Sequence, residues 1–435
     1  MPTRQPNVLV FFTDQQRWDT CSCYGNPMGL TPHLDAMARR GTRFQHAFTC
    51  QPVCGPVRAT LQTGLYARAA GVWRNGLGLA PTHTTIAQCF QQAGYETGYI
   101  GKWHLSAGQP GAVPKSGRAG YQHWIASNVL EFTSHPNDGV IFGADNKPIR
   151  LHGYRVDAQT DLAINFLRRQ RDGRPFFLFL SYLEPHHQND MRRFVAPDGY
   201  AARYRDHYVP PDLQPYPEGD WRSELPDYYG ICASLDENLG RVIDELRHLG
   251  ELDNTILLFT SDHGCHFRTR NTEYKRSCHD SCLRVPMAAQ GPGFDGGRAV
   301  PELVSLVDVP PTLLAACGLP VPSAMQGHDM TPLAAGRTAG WADDVFAQIS
   351  ESQVARAVRT ARWTYCAEAP GKNGNKDEAS DLYVDYQLYD LQADPHQLTN
   401  LLGRSDYAPV LAEMRQRLKR RMAQAGEAVP EIRPI

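Results

Sequence analysis

The stretch Cys54-Gly55-Pro56-Val57-Arg58-Ala59-Thr60-Leu61-Gln62-Thr63-Gly64 organises the chain. Gly55 and Pro56 break any strand, and Arg58 to Leu61 can open a helix, so the stretch reads as a loop turning into a helix N-terminus. Free backbone N–H groups at such an end stabilise an anion, and a thiol placed there is a candidate thiolate. A buried structural thiol is the plain alternative, because free cysteine is often interior. Cys50 is the internal control: Cys50-Gln51-Pro52-Val53-Cys54 repeats Cys-x-Pro, but Cys54 stands where Arg58 stands in the second copy.

Working outward, short apolar runs recur, and each ends on residues that can do chemistry. Asn7–Phe12 runs into Thr13-Asp14-Gln15-Gln16, and a strand over Tyr95–Ile100 runs into Gly101-Lys102-Trp103-His104. Pro175–Tyr182 delivers Glu184-Pro185-His186-His187, and Thr255–Thr260 delivers Ser261-Asp262-His263-Gly264. Between them lie helical patterns at Thr31–Gly41, Thr84–Ala93, Asp157–Arg169 and Tyr228–Leu249. Continuous apolar runs alternating with amphipathic helices predict an α/β fold with a large, mostly parallel central sheet flanked by helices. In open α/β sheets ligands gather at the carboxyl ends of the strands. Asp14, Lys102, His186 and Asp262 are therefore expected at one sheet edge. Taken singly, each has an ordinary alternative: a capping Asp, a surface Lys, a satisfied core His.

Cys-x-Pro-x-Arg followed by Ala-x-Leu-x-Thr-Gly resembles the signature of type I sulfatases, formylglycine-dependent members of the alkaline phosphatase superfamily. Every fixed position matches. Gly101-Lys102-Trp103-His104, Ser261-Asp262-His263-Gly264 and Arg284-Val285-Pro286 recur in the family's order. The resemblance implies that Cys54 is oxidised to formylglycine (3-oxoalanine), whose hydrate is the nucleophile. It implies metal ligands at Asp14, Asp262 and residue 54. Gln15 stands where the family commonly has a second carboxylate, and its amide oxygen can still hold a hard cation. His263 binds the metal or donates to the sulfate. Calcium is the implied ion, with manganese or magnesium as alternatives. Catalytic roles carry over to Arg58, Lys102, His104, His186 and Lys275, with Lys102 contacting the hydrate and the sulfate and His104 removing the proton that expels sulfate. His186 is chosen over His187 because it directly follows Pro185. Gln188 stands where many relatives have proline. His187, His263 and His279 are candidates for substrate contact.

The remaining chain sets bounds. A chain of 435 residues with 42% hydrophobic and 21% charged residues fits one large domain with an appendage. A net charge of -2 gives no bulk electrostatic case for nucleic acid or membrane binding. Met1 to Pro6 pass straight into the first apolar run without a leader pattern, and the 11 cysteines are scattered and odd in number. Both point to a reducing cytoplasm. Residues 109–154 and 191–226 lack periodicity and are expected to cover the site as substrate loops. The pattern changes near residue 345: strands at Ala355–Arg362, Trp363–Ala367 and Tyr386–Asp394, then an amphipathic helix at Tyr407–Met422, predict a small antiparallel sheet with one helix. The division is thus 1–345, catalytic, and 346–435, C-terminal subdomain.

The expected function is hydrolysis of a sulfate ester of a carbohydrate or aryl alcohol, after maturation by a formylglycine-generating enzyme or an anaerobic maturase. A phosphonate monoester or phosphodiester hydrolase with the same nucleophile is the alternative, and a non-catalytic binding relative a third. No oligomeric state is read from the sequence.

Overall fold

The computed structural model describes residues 4–170 and 173–435. Residues 1–3, at the head of the segment read as leaderless, lie outside the described residues. In the larger sheet the strands are β1 (Asn7–Thr13), β2 (Thr42–Phe48), β3 (Glu96–Lys102), β4 (His123–Ser127), β5 (Val140–Phe142), β6 (Pro148–Arg150), β7 (Phe176–Ser181), β8 (Thr255–Ser261), β9 (Arg284–Val285), β10 (Met287–Gln290) and β11 (Arg298–Ser305). Their order is β11-β2-β10-β8-β1-β7-β3-β4-β5-β6, with β9 pairing to β2.

The centre β8-β1-β7-β3-β4 is parallel, while β10, β9, β5 and β6 run antiparallel to their neighbours. The sheet is therefore mixed, its parallel part being the part that carries the site. Every residue of β1 is buried. Val8, Val10 and Phe12 pack on one face with Val57, Phe90 and Leu313; Leu9 and Phe11 pack on the other with Leu34, Phe166 and Leu239. Helices cover both faces, and the alternation of β1 side chains joins the two layers.

Register is what matters for the site. Thr13 pairs with Ser261, and Phe12 with Ser181, so β1, β7 and β8 end at one level. Gly101 pairs with the same Ser181, which brings the end of β3 to that level too. The four strands with chemistry after them are thus consecutive in space.

Three expectations shift. The helix after the nucleophile loop begins at Cys54 itself and runs to Thr63, not from Arg58. Pro56 falls within its first turn, where a missing N–H costs nothing. The stretch 109–154 is not only loop: it adds β4, β5 and β6 to the sheet. The long helix starts at Trp221, seven residues before Tyr228, and tolerates Pro226 near its N-terminus.

A second sheet holds β12 (Asp344–Ile349), β13 (Ala355–Thr360), β14 (Trp363–Glu368), β15 (Leu382–Asp390) and β16 (Glu431–Arg433) in sequence order. It is antiparallel except for β16, which pairs parallel with β15. The helix Ala408–Gln424 packs on it through Met414, Leu418 and Met422. Phe48, Leu283 and Leu303 of the large sheet's region share a core with Val345, Ile349 and Tyr389.

Candidate active site

Cys54 is the first residue of its helix, with Val53 in extended conformation before it and no side-chain cap. One orphan N–H, that of Gly55, is taken by Asn75 Oδ1 at 2.9 Å. A side chain at 55 would meet that oxygen at 3.0 Å and the His104 carbonyl at 3.3 Å, so glycine lets three segments close on the nucleophile. At the far end Gly64, at φ 69°, stops the helix, and a Cβ there would strike Met325 at 2.6 Å. The two halves of the signature do different work: the first builds a site, the second seats a helix.

The Cys54 sulfur is a hub. Lys275 Nζ lies 2.9 Å away, His263 Nε2 and Asp14 Oδ1 each 3.4 Å. Burial alone pushes this thiol up, but Lys102, Lys275 and His263, with His104 adding to them, hold it well below the usual thiol range. Cys50 is equally buried, its thiol bonds Thr60 Oγ1, and it is pushed up to about 12 by desolvation.

Asp14 Oδ2 accepts from Lys102 Nζ at 2.8 Å and Arg58 at 2.9 Å. Burial and the Cys54 charge would raise its pKa; Lys102, His186 and Arg58 outweigh them and hold it low. Asp262 is the opposite case: burial, then the neighbouring Asp14 and Cys54 charges, push it up. Its Oδ1 accepts the backbone N–H groups of Gln15 and His263, each at 2.8 Å, while its Oδ2 is buried with no hydrogen bond among the described residues, 3.5 Å from His263 Nε2. His263 Nδ1–H donates to the Gly264 carbonyl at 2.9 Å, which leaves Nε2 as a lone pair facing Cys54. One ligand atom each from Asp14, Cys54, Asp262 and His263 lies within 4.8 Å of all the others. Oxygen ligands at about 2.3–2.6 Å from a calcium ion span that distance. The orphaned Asp262 oxygen and the like-charged pair fit a divalent cation. Gln15, at φ 67°, gives Asp262 its backbone N–H and turns its side-chain nitrogen to Cys265 at 3.4 Å.

A cavity of about 460 Å³ opens over this cluster, lined by Cys54, Gln15, His104, Glu131, His186 and Lys275 among others. Lys275 Nζ stands 3.2 Å from His186 Nε2. His186 Nδ1–H donates to the His187 carbonyl at 2.6 Å, so its other nitrogen faces the cluster. His187 also lines the cavity, but its ring stacks on Tyr274 at 4.5 Å, and burial pushes its pKa down to about 4.

Two expected residues sit elsewhere. Arg58 is buried beneath the site: it binds Asp14, the Lys102 carbonyl and Ser181 Oγ, and its guanidinium lies over Phe12. It fixes β1, β3 and β7 to the nucleophile helix rather than facing the cavity. His279 is not brought to the cavity. Its two nitrogens face Ser277 Oγ and Tyr389 OH, each at 3.1 Å, so it joins the lysine loop to the second sheet. Lys102 lies under the nucleophile, shared between Asp14 and Glu131. Glu131, Asn75 and Ser181 went unread: Glu131 sits in an aperiodic stretch, and no spacing ties it to Lys102.

The sulfatase family profile matches residues 6–319, and the profile for the C-terminal part of N-sulphoglucosamine sulphohydrolase matches residues 272–424. The chain is similar to an ulvan-active sulfatase of Formosa agariphila, 31% identical over 447 residues, covering 98% of this chain and 82% of the relative. It is 27% identical to the N-acetylglucosamine-6-O-sulfatase of Bacteroides thetaiotaomicron, covering 99% and 88%. Among solved structures, one bound to its substrate D-glucosamine-2-N,6-O-disulfate superposes with a TM-score of 0.80 at 25% identity over 98% of each chain. The phosphonate monoester hydrolase of Agrobacterium radiobacter shares the fold, with a TM-score of 0.74 at 24% identity over 97% and 96% of the two chains. Fold and site together define a hydrolase of the alkaline phosphatase superfamily. Within it the chain belongs to the sulfatase family and is a sulfuric ester hydrolase.

Proposed function

We propose that this sulfatase cleaves a sulfated carbohydrate or aryl sulfate with residue 54 matured to formylglycine and a divalent cation, calcium first, held by Asp14, Gln15, Asp262, His263 and residue 54. One observation carries this: the Cys54 sulfur, at a helix N-terminus, contacts Asp14, His263 and Lys275 beside the unpartnered Asp262 oxygen. The cation supplies charge neutralisation and polarises an oxygen. Matured to the aldehyde hydrate, residue 54 would offer one hydroxyl for attack and a second whose proton can be removed, so it need not stay esterified.

The chain's own residues do the rest. Lys275 and His186 face each other across 3.2 Å on the cavity side of residue 54. There they bind the anionic ester and supply a proton to the departing alcohol oxygen. Lys102, buried below, balances the charge that develops over residue 54. His104, on the same cavity wall as residue 54, takes the proton from residue 54 that closes the cycle. Arg58 keeps Asp14 and the helix in register.

The same reading places the protein in the cytoplasm, makes a formylglycine-generating or anaerobic maturase its processing partner, and assigns residues 1–345 to catalysis and 346–435 to a C-terminal subdomain. All 11 cysteines being free thiols is consistent with that compartment. Peptide mass spectrometry of active enzyme tests the reading: residue 54 should have lost its sulfur. Active protein carrying only cysteine there overturns it.

A further inference from the structure

Next to the nucleophile lies a carboxylate with no role in the chemistry above. Glu131 sits in the turn Leu130–Phe132, buried, on the wall of the cavity. Its Oε1 is 3.1 Å from Lys102 Nζ and 3.8 Å from His104 Nδ1. Two buried polar atoms in this corner have no hydrogen bond among the described residues: Glu131 Oε2 and His104 Nδ1. Buried carboxylates and ring nitrogens seldom stay unsatisfied, and here the unpaired nitrogen lies 3.8 Å from Oε1 of the same carboxylate.

The backbone around them is unusual as well. His104 has φ 59° and Val129 has φ 51°, left-handed conformations that are costly for a β-branched residue. Such strain gathers where a side chain must be aimed. The two segments are stitched together: Trp103 N–H donates to the Ser127 carbonyl at 2.9 Å, and Asn128 bonds the backbone of Ser106 in both directions. Burial would raise Glu131, but Lys102, then His104 and His186, hold it down to about 2, so a full negative charge faces the imidazole.

We propose that Glu131 is a positioning residue that accepts a hydrogen bond from His104 Nδ1–H and so keeps His104 Nε2 aimed at residue 54. A carboxylate behind an imidazole selects the tautomer and stabilises the imidazolium formed when the ring takes a proton. Lys102, shared between Glu131 and Asp14, ties this pair to the metal-binding edge. The inference rests on His104 being the base for residue 54.

The test has two arms. In isotope-labelled protein, with residue 54 matured or not, a low-field imidazole N–H resonance that vanishes in His104→Gln should vanish or shift upfield in Glu131→Gln. An unchanged resonance in Glu131→Gln, or none assignable to His104, overturns the proposal. In matured enzyme, Glu131→Gln should lower kcat on an aryl sulfate about 10- to 100-fold, the range for a group that orients another, with KM unchanged. In a His104→Gln background the same change should cost less than about 2-fold, because the two act as a unit. Equal losses in both backgrounds would mean that Glu131 acts through Lys102 or through the fold, and overturn it. Should Glu131→Gln fail to fold, Glu131→Asp keeps the charge beside Lys102 and shortens the reach to His104. It should show the same resonance shift and the same dependence on His104 at smaller amplitude. Active wild type carrying unmodified cysteine at 54 sinks the formylglycine reading, while the resonance still decides the Glu131–His104 pair.

Discussion

Cys50 and Cys54 are four residues apart, equally buried, and each opens a Cys-x-Pro, yet their surroundings push them in opposite directions. Around Cys50 the neighbours are Thr60 and apolar side chains of the core, and the thiol is held protonated. Around Cys54 lie two lysines and His263 at a helix N-terminus, and the thiol is held ionised. Burial itself is the same unfavourable influence in both. What separates them is whether fixed positive charge accompanies the burial: desolvation strengthens a charge already balanced by neighbours and extinguishes one that is not.

The largest test of that difference is substitution. Cys54→Ala should lose turnover on the order of 10⁶-fold, as when an enzyme nucleophile is removed. Cys50→Ala should keep kcat within about 2-fold and cost roughly 1 kcal/mol of stability from the small cavity left behind. A dead but folded Cys50→Ala would mean that the two regions are one.

Alkylation of unmatured, chelator-treated protein reads the same contrast directly. A thiol titrating near 12 stays protonated below that pH, because a raised pKa favours the protonated form, so Cys50 should not react at pH 8. Cys54, with its pKa depressed, is thiolate there and should be carboxymethylated at least about 10³-fold faster by peptide mapping. Equal labelling would break the comparison.

Asp262→Asn probes the metal edge. The amide is nearly isosteric and cannot balance a cation, so activity should fall about 10³-fold or more. Calcium at 100 times Kd, which should stabilise the wild type by about 2.7 kcal/mol, should no longer raise Tm. Full activity of demonstrably metal-free wild type would remove the cation from the site.

His186→Ala should slow hydrolysis of an alkyl or sugar sulfate by about 10²-fold or more, and an activated aryl sulfate much less, since a nitrophenolate leaves without a proton. His187→Ala, its ring turned to Tyr274, should depress both substrates alike. Interchanged behaviour would move the acid one residue along the chain. Smallest is Gln15→Asp, which restores a carboxylate: metal affinity by titration should rise, with kcat changed only a few-fold. Weaker binding would take the Gln15 side chain out of the ligand set.

Much of this was legible in residues alone. Continuous apolar runs ending on Asp14, Lys102, His186 and Asp262 imply parallel strands delivering polar groups to one edge, because such runs are stable only when buried on both faces. The signature from Cys54 to Gly64 singled out one cysteine of 11 and the family it belongs to. Those are local properties, carried by composition and spacing along the chain. Strand order was not: β8, β1, β7 and β3 lie far apart in sequence, and only their hydrogen-bonded register sets Asp262, Asp14 and Lys102 at one level. The division between Arg58, buried as a tie, and Lys275, open to the cavity, depends on the same packing, since both are simply cations in the sequence. Glu131 and His279 mark the limit in opposite senses. Each acquires its partners from distant segments, Lys102 and His104 for one, Tyr389 for the other, and electrostatic environment is a sum over neighbours that the linear chain does not order.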